Sequence, residues 1–409
     1  MNYQPIVQRT RAYLCLDCGK CTSVCPLARV DLDYSPRRIV ERVVHGEAEA
    51  VIADPQLWSC MTCGLCSARC PSNVDFTRFI VEMRAAAFES GERGIYAHNG
   101  ILQEVMRIQT LNVQQRRTEW LDEDRAAGKL QVADPDAEGA GDVFYFVGCL
   151  PFFDVIFQDL QIEALEIARN AVRLMNRIGI SPIVSDAERC CGADLLLAGD
   201  VESFRRLAEL NVEAIQASGA SKVVFTCAEC YNAFKTDYPA YVGPLPFETA
   251  HLTELLADEI EAGGLSFEDR GESQVVTYHD PCRMARYLKV HEPPRTALAA
   301  VPGLELVEME DNRERAMCCG STAWVNCSGC SKLIQREKLH QARQTGARVM
   351  LTTCPKCQIH LSCASRDLDE EQKVKVGDVA TWLGQALGCW QSLSNKLKGP
   401  SRAAPGTGA

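Results

Sequence analysis

Eight cysteines near the N-terminus stand in two copies of one spacing, C-x2-C-x2-C-x3-C-P. The copies are Cys15, Cys18, Cys21 and Cys25 before Pro26, and Cys60, Cys63, Cys66 and Cys70 before Pro71. This spacing is typical of two 4Fe-4S clusters, because the fourth cysteine of each copy binds the other cluster. We therefore predict one cubane on Cys15, Cys18, Cys21 and Cys70, and another on Cys60, Cys63, Cys66 and Cys25. Zinc is disfavoured here, because zinc sites use separate CxxC pairs.

Ten further cysteines form two units with the order C…CCG…CxxC. The first unit has Cys149, Cys190, Cys191, Cys227 and Cys230, and the second has Cys282, Cys318, Cys319, Cys354 and Cys357. Each position of the first unit recurs about 130 residues later, which indicates two copies of one structural repeat. Five thiols are one more than a zinc tetrahedron or a single cubane needs, so a larger cluster or a bridging thiolate is favoured. Zinc, or simple packing of buried cysteines, remains the alternative for one or both copies.

The remaining cysteines lie outside these patterns. Cys327 and Cys330 make an extra CxxC after the second CCG; it is either a thiol pair or incidental, since the first copy has no equivalent. Cys363 and Cys389 are predicted to be small buried side chains.

Two histidines carry weaker signals. His279 and Asp280 precede Cys282 and either place a hydrogen-bond or proton donor near the site or simply form a turn at a strand end. His251 precedes a helical stretch and is predicted to cap it.

The elements around the repeated cysteines alternate between strand and helix. Short apolar runs, VFYFVG and QVVTYHDP, end in Cys149 and Cys282, and KVVFT and RVMLTT end in Cys227 and Cys354. Helical patterns occupy residues 161–178, 201–217 and 331–344. Such alternation predicts parallel βαβ units, in which ligands gather beyond the carboxyl ends of the strands.

The N-terminal cysteines stand instead among helical patterns, at residues 36–57, 76–90 and 101–111. The predicted fold class is therefore α+β and multi-domain, with a helical two-cluster ferredoxin domain before two tandem α/β repeats with parallel sheets. The predicted divisions are residues 1–118, an exposed linker at 119–142, repeats at 143–265 and 266–392, and a disordered tail at 393–409.

Composition excludes several classes of function. The net charge of −11 argues against a nucleic-acid partner, which needs a cationic face. The sequence shows no secretory signal and no run of about 20 apolar residues that could span a membrane. With 22 cysteines in metal-ligand spacings, a cytoplasmic location is expected. No nucleotide-binding glycine motif is present, so a flavin or nicotinamide is expected on a partner.

The order of these motifs resembles the heterodisulfide reductase family, over about residues 10 to 390. A dicluster unit like the family's C-type subunit stands before a double CCG unit like the B-type subunit, as in the D-type arrangement. The resemblance implies a noncubane 4Fe-4S cluster on each set of five CCG cysteines, which become the catalytic ligands. It also implies a small-molecule disulfide or thiol substrate.

The expected function is an oxidoreductase subunit. Electrons from a flavoprotein or a membrane cytochrome would pass the two cubanes and reduce, or form, a disulfide at the CCG clusters. Through such a partner, the chain would associate with the inner face of a membrane. The alternative is a non-catalytic relay between a dehydrogenase or flavoprotein and a quinone or bifurcating complex.

Overall fold

The computed structural model describes residues 2–111, 114–133, 141–269, 271 and 273–387. The expected disordered tail and Cys389 therefore lie outside the described residues. The first part of the chain is helical: α1 Gln4–Arg9, α2 Lys20–Val24, α3 Pro26–Val30, α4 Pro36–Val44, α5 Ala48–Ile52, α6 Leu65–Ala68, α7 Phe76–Glu89 and α8 Ile101–Ile108. Among the described residues, no helix combines the length and apolar character needed to cross a bilayer.

The longest helix of this region, α7, organises the N-terminal core. Asp75 caps it, because its carboxylate accepts a hydrogen bond from the backbone N–H of Arg78 (3.1 Å). Phe79, Ile80 and Met83 recur at helical spacing and are fully buried. Their burial holds α7 beneath both cysteine motifs.

The helical pattern predicted at residues 36–57 is not one helix. It divides into α4, α5 and a short 3₁₀ turn, Pro55–Trp58. Gly46, with φ of 93°, ends the first piece, and Pro55 starts the last. These breaks fold the segment compactly between the two cysteine motifs.

The predicted linker is partly a packed element. A 3₁₀ turn, Glu119–Leu121, leads into α9, Asp122–Ala126. The Trp120 and Leu121 side chains are buried, and Arg169 donates to the Trp120 carbonyl (3.2 Å). Two apolar side chains are thus enough to attach a segment whose acidic and glycine-rich composition predicts exposure.

The first repeat is a three-stranded parallel sheet, ordered β1-β2-β3, with its helices around it. Its elements are β1 Val143–Phe146, α10 Leu150–Ile156, α11 Ala164–Arg177, α12 Ala193–Leu197, α13 Val201–Ala217, β2 Lys222–Phe225, α14 Ala228–Asn232, a π turn Ala233–Asp237, α15 Tyr238–Val242, β3 Glu248–His251 and α16 Leu252–Glu261. As predicted, His251 caps α16, in a capping box with Glu254.

The second repeat is a four-stranded parallel sheet, ordered β5-β4-β6-β7. Its elements are β4 Gln274–His279, a π turn Arg283–Leu288, α17 Glu292–Ala299, β5 Leu304–Leu306, α18 Gly329–Gln344, β6 Val349–Thr352, α19 Pro355–Arg366, β7 Lys375–Asp378 and α20 Val379–Ala386. The predicted α+β class is confirmed, with parallel sheets in both repeats.

The two repeats pack closely against each other. Helix α20 of the second repeat lies on α11 of the first, where Gly384 leaves no room for a side chain beside Asn170. At the centre, the Ala228 N–H donates to the Thr353 carbonyl (3.0 Å). Since these residues flank Cys227 and Cys354, the repeats join at their cysteine-bearing edges.

Candidate metal centres

The eight N-terminal cysteines line two adjoining cavities. One cavity is lined by Cys15, Cys18, Cys21, Cys66 and Cys70, and the other by Cys25, Cys60, Cys63 and Cys66. Each motif thus sends its fourth cysteine to the first three of the other motif. Two adjoining sets of thiols are the donor set that two 4Fe-4S clusters need.

Local backbone geometry turns these thiols inward. Gly19 and Gly64 precede α2 and α6 with φ of 73° and 80°, in the left-handed region that favours glycine. Backbone N–H groups donate to sulfur at both motifs, from Thr62 to Cys60 and from Val74 to Cys70, each at 3.3 Å. Such donors stabilise negative sulfur, as cluster ligation requires.

The two cavities differ in depth. Cys18 is exposed and Cys15 and Cys21 are half-buried, whereas Cys60 and Cys63 are buried. The first set therefore faces solvent and the second faces the protein interior. An electron that enters from outside would meet them in that order.

The first repeat gathers its five cysteines at the carboxyl edge of its sheet. The Cys149 and Cys190 sulfurs are 2.9 Å apart. Cys191 lies within hydrogen-bonding reach of Cys190 and Cys230, and Cys230 lies within reach of Cys227. One continuous group of buried thiols results, larger than a four-ligand site.

A buried ion pair supports this group from a segment outside the repeat. Arg117 donates to Glu188 (3.0 Å) and to the Gly148 carbonyl, next to Cys149. Glu188 also accepts the backbone N–H groups of Val147 (2.8 Å) and Gly148 (2.7 Å). Burial raises the Glu188 pKa to about 7, although Arg117 opposes the shift. Sequence reasoning missed Arg117, because it belongs to neither repeat.

The second repeat brings its five cysteines together in the same way. Cys318 lies within hydrogen-bonding reach of Cys282 and Cys319, and Cys357 lies within reach of Cys319 and Cys354. Two repeats with the same arrangement are what the shared cysteine order predicts.

His279 stands beside this second group. One ligand atom each of His279, Cys319 and Cys357 lies within 4.8 Å of the others. Burial lowers the His279 pKa, so its imidazole is neutral. Three ligand atoms do not complete a zinc tetrahedron, and the five thiols around them fit a cluster better.

The three interior cysteine groups are in contact. Cys63 of the N-terminal domain lies within hydrogen-bonding reach of Cys318 in the second repeat. Cys354 of that repeat lies within reach of Cys227 in the first. The order in space is therefore N-terminal domain, second repeat, first repeat, which differs from the order along the chain.

A cluster of buried charges lies where the repeats meet. The Lys356 ammonium donates to Asp194 and to Glu229, which also faces Arg283 at 3.7 Å. Glu229 and Lys356 occupy the same position of the two CxxC motifs, so the ion pair joins equivalent residues of the repeats. Burial raises the Asp194 pKa to about 7 while Lys356 opposes the shift.

A cavity of about 530 Å³ opens between the N-terminal domain and the two repeats. Its wall includes Thr62, Glu229 and Arg283, each adjacent in sequence to a cysteine of a different group. Asp237 and Tyr241 lie further along the wall. A solvent route therefore reaches the place where the three groups meet.

The unpatterned cysteines lie elsewhere. Cys327 is exposed and Cys330 half-buried, at the start of α18. Cys363 is half-buried and accepts a hydrogen bond from the Lys332 ammonium (3.0 Å). The prediction of a buried apolar role for Cys363 is wrong, because a lysine of α18 reaches it.

Two domain families match this chain. Residues 11–74 match a 4Fe-4S dicluster domain, and residues 143–235 and 276–362 match a cysteine-rich domain, CCG. With the thiol-lined cavities, these matches assign 4Fe-4S clusters to the chain.

Two curated relatives and one solved structure are similar to it. The D-type subunit of dihydromethanophenazine:CoB–CoM heterodisulfide reductase from Methanosarcina acetivorans is 35% identical over 270 residues, 64% of this chain and 63% of the relative. EtfAB:quinone oxidoreductase from Syntrophomonas wolfei is 28% identical over 281 residues, 66% of this chain and 38% of the relative. The chain thus spans less than two thirds of the length of these relatives.

A hypothetical protein from Helicobacter pylori shares the fold alone, with a TM-score of 0.54 at 10% identity, over 94% of this chain and 72% of that one. The domain matches and the 35% identity lead to one conclusion: the chain belongs to the iron–sulfur proteins that join a 4Fe-4S dicluster domain to CCG domains, and it is homologous to the D-type subunit of heterodisulfide reductase.

Proposed function

We propose that this oxidoreductase subunit moves electrons from its dicluster domain to two CCG-bound noncubane 4Fe-4S clusters, where a disulfide is reduced to two thiols or formed from them. The observation that carries the proposal is the contact of Cys63 with Cys318 and of Cys354 with Cys227. When bound, the clusters supply electron transfer in single-electron steps. Reduction of a disulfide consumes two electrons and two protons, so two CCG sites in contact suit it.

The chain's own residues would supply access and shielding. The cavity of about 530 Å³ gives a small disulfide a path towards the Cys227–Cys354 junction. Glu229 and Arg283 form its inner wall and would face the substrate's polar groups. The Lys356 ion cluster behind them holds the two repeats in register, so the two CCG sites keep a fixed separation.

The proposed partner is a flavoprotein or a membrane cytochrome, docked near the exposed Cys18. The proposed setting is the cytoplasm, at the inner face of a membrane where the partner is membrane-bound. The substrate would be a small-molecule disulfide or dithiol pair.

Metal analysis tests the cluster count. The anaerobically reconstituted chain should contain about sixteen irons, with matching sulfide and no zinc, for four 4Fe-4S clusters. Electron paramagnetic resonance (EPR) of the oxidised chain should show a new paramagnetic species when thiol is added. About eight irons with stoichiometric zinc would contradict the CCG half of the proposal.

Substitution tests the catalytic site. Cys318→Ser or Cys319→Ser should abolish disulfide turnover with a chemical reductant and leave the dicluster signals. Cys363→Ser is the matched control, because this cysteine lies outside both groups. Unchanged turnover in the Cys318 and Cys319 variants would refute the proposal.

A relay without its own substrate is the second candidate. The similarity to a quinone oxidoreductase favours it, because a related chain serves a protein named for a different acceptor. Full cluster content without reduction of any small disulfide by the chemically reduced chain would support the relay.

A further inference from the structure

Arg286 lies between the N-terminal domain and the second CCG group. It stands in the π turn that follows Cys282, and only 5% of the residue is exposed. Its Nε donates to the Cys63 carbonyl (2.6 Å), and its Nη1 donates to the Ala316 carbonyl (2.5 Å), two residues before Cys318. One guanidinium thus bonds the backbone beside both cysteine groups.

This buried cation has no acidic partner. Within the part of the chain that the structure describes, no carboxylate forms an ion pair with Arg286, and its Nη2 is buried without a hydrogen-bond partner. A buried charge without a counter-charge is strongly destabilising. The negative groups that face it are cysteines, Cys63, Cys282 and Cys318.

The matching arginine of the first repeat is different. Arg117 is equally buried beside Cys149 and Cys190, but Glu188 neutralises it at 3.0 Å. Asp194 and Glu229 add further carboxylates around the first group, whereas Arg283 stands next to Arg286 at the second. The positive charge of Arg286 is therefore available to the cluster sites themselves.

We propose that Arg286 is a positioning residue and the shared counter-cation of two clusters, the cubane on Cys63 and the CCG cluster on Cys318, and that it raises the reduction potential of both. Each electron adds one negative charge to a cluster, and a nearby fixed cation stabilises that charge. The bonds to the Cys63 and Ala316 carbonyls also hold the two sites together. The proposal rests on the cluster assignment of the proposed function, but not on a disulfide substrate.

Redox titration followed by EPR, without substrate, tests this role. In Arg286→Gln, the affinity for the electron should fall at least about tenfold at both sites, a shift of about 59 mV to lower potential for a one-electron couple. Arg286→Lys keeps the charge and should keep midpoints near those of the wild type. Lys289→Met removes an exposed cation three residues away and should leave both midpoints unchanged.

Several results would overturn the proposal. An Arg286→Gln chain with full iron content and unchanged midpoints would remove the electrostatic role. If Arg286→Gln loses iron, Arg286→Lys decides, because lysine cannot reproduce the two carbonyl bonds. Wild-type midpoints in the lysine variant support the charge, and lowered midpoints show a role limited to backbone geometry. None of these readouts requires disulfide turnover, so they separate this proposal from the proposed function.

Discussion

Removal of the Lys356 ammonium should destabilise the contact between the two repeats. This lysine is the buried cation bonded to both Asp194 and Glu229, and its ammonium also lies 5.6 Å from the centre of the Trp324 ring. In Lys356→Met the side chain keeps its length, but two buried carboxylates lose their partner. We expect loss of about 3–5 kcal/mol of folding free energy, as for other broken buried pairs.

Thermal unfolding of the anaerobic chain measures this loss. The midpoint should fall on the order of 5–10 °C, given the usual relation between free energy and melting temperature. Lys373→Met is the matched control, because its partner Glu370 is largely exposed, and such a pair contributes at most about 1 kcal/mol. Iron content is measured in parallel, because Lys356 lies between Cys354 and Cys357.

A reversed pair tests whether charge is the cause. Glu229→Lys combined with Lys356→Glu restores one cation between two carboxylates from the opposite repeat. The double variant should recover part of the lost midpoint, because the net charge of the cluster is unchanged. A Lys356→Met midpoint within about 2 °C of the wild type would refute the reasoning.

Three further perturbations follow from the packing. Gly199→Ala should cost at least about 2 kcal/mol, because φ is +86° and its Cβ would overlap the Arg84 carbonyl oxygen; Gly219→Ala, with open space, should cost only about 1 kcal/mol, as thermal melts would show. Burial raises the Asp237 pKa to about 6, so the folded state disfavours its charge. Asp237→Asn should therefore be more stable than the wild type, by about 1 kcal/mol above pH 6, and the difference should vanish below pH 4; equal stability at both pH values would contradict this. Cys327, being exposed, should react with iodoacetamide in the cluster-loaded chain before other cysteines do, as peptide mass spectrometry would detect.

Much of the fold could be predicted because the cysteines punctuate the elements. Each strand predicted before a cysteine is present, and α13 has the predicted bounds, Val201–Ala217. Local patterns were sufficient here, since a buried parallel strand is a short apolar run between turn residues. The interleaving of the two N-terminal motifs was also predictable, because the spacing itself prevents a fourth ligand from reaching its own cluster.

Contacts between distant segments could not be predicted. Nothing in the local sequence indicates that Arg117 reaches Glu188, or that Cys354 meets Cys227 rather than lying only in its own repeat. Arg286 likewise looks like an ordinary helical arginine until the Cys63 carbonyl is placed beside it. Such pairings depend on how domains dock, which a single sequence read by pattern does not specify.

The duplicated repeat gains its use from the positions at which its copies differ. The CxxC motifs are C-A-E-C and C-P-K-C, and their unlike central residues, Glu229 and Lys356, form the buried pair that joins the copies. Two identical copies would place like charges there, and the contact would be repulsive. The same asymmetry puts carboxylates near the first group and Arg286 near the second. An electron arriving at Cys63 therefore meets the more cationic of the two CCG sites first, which makes the second repeat the favoured point of entry.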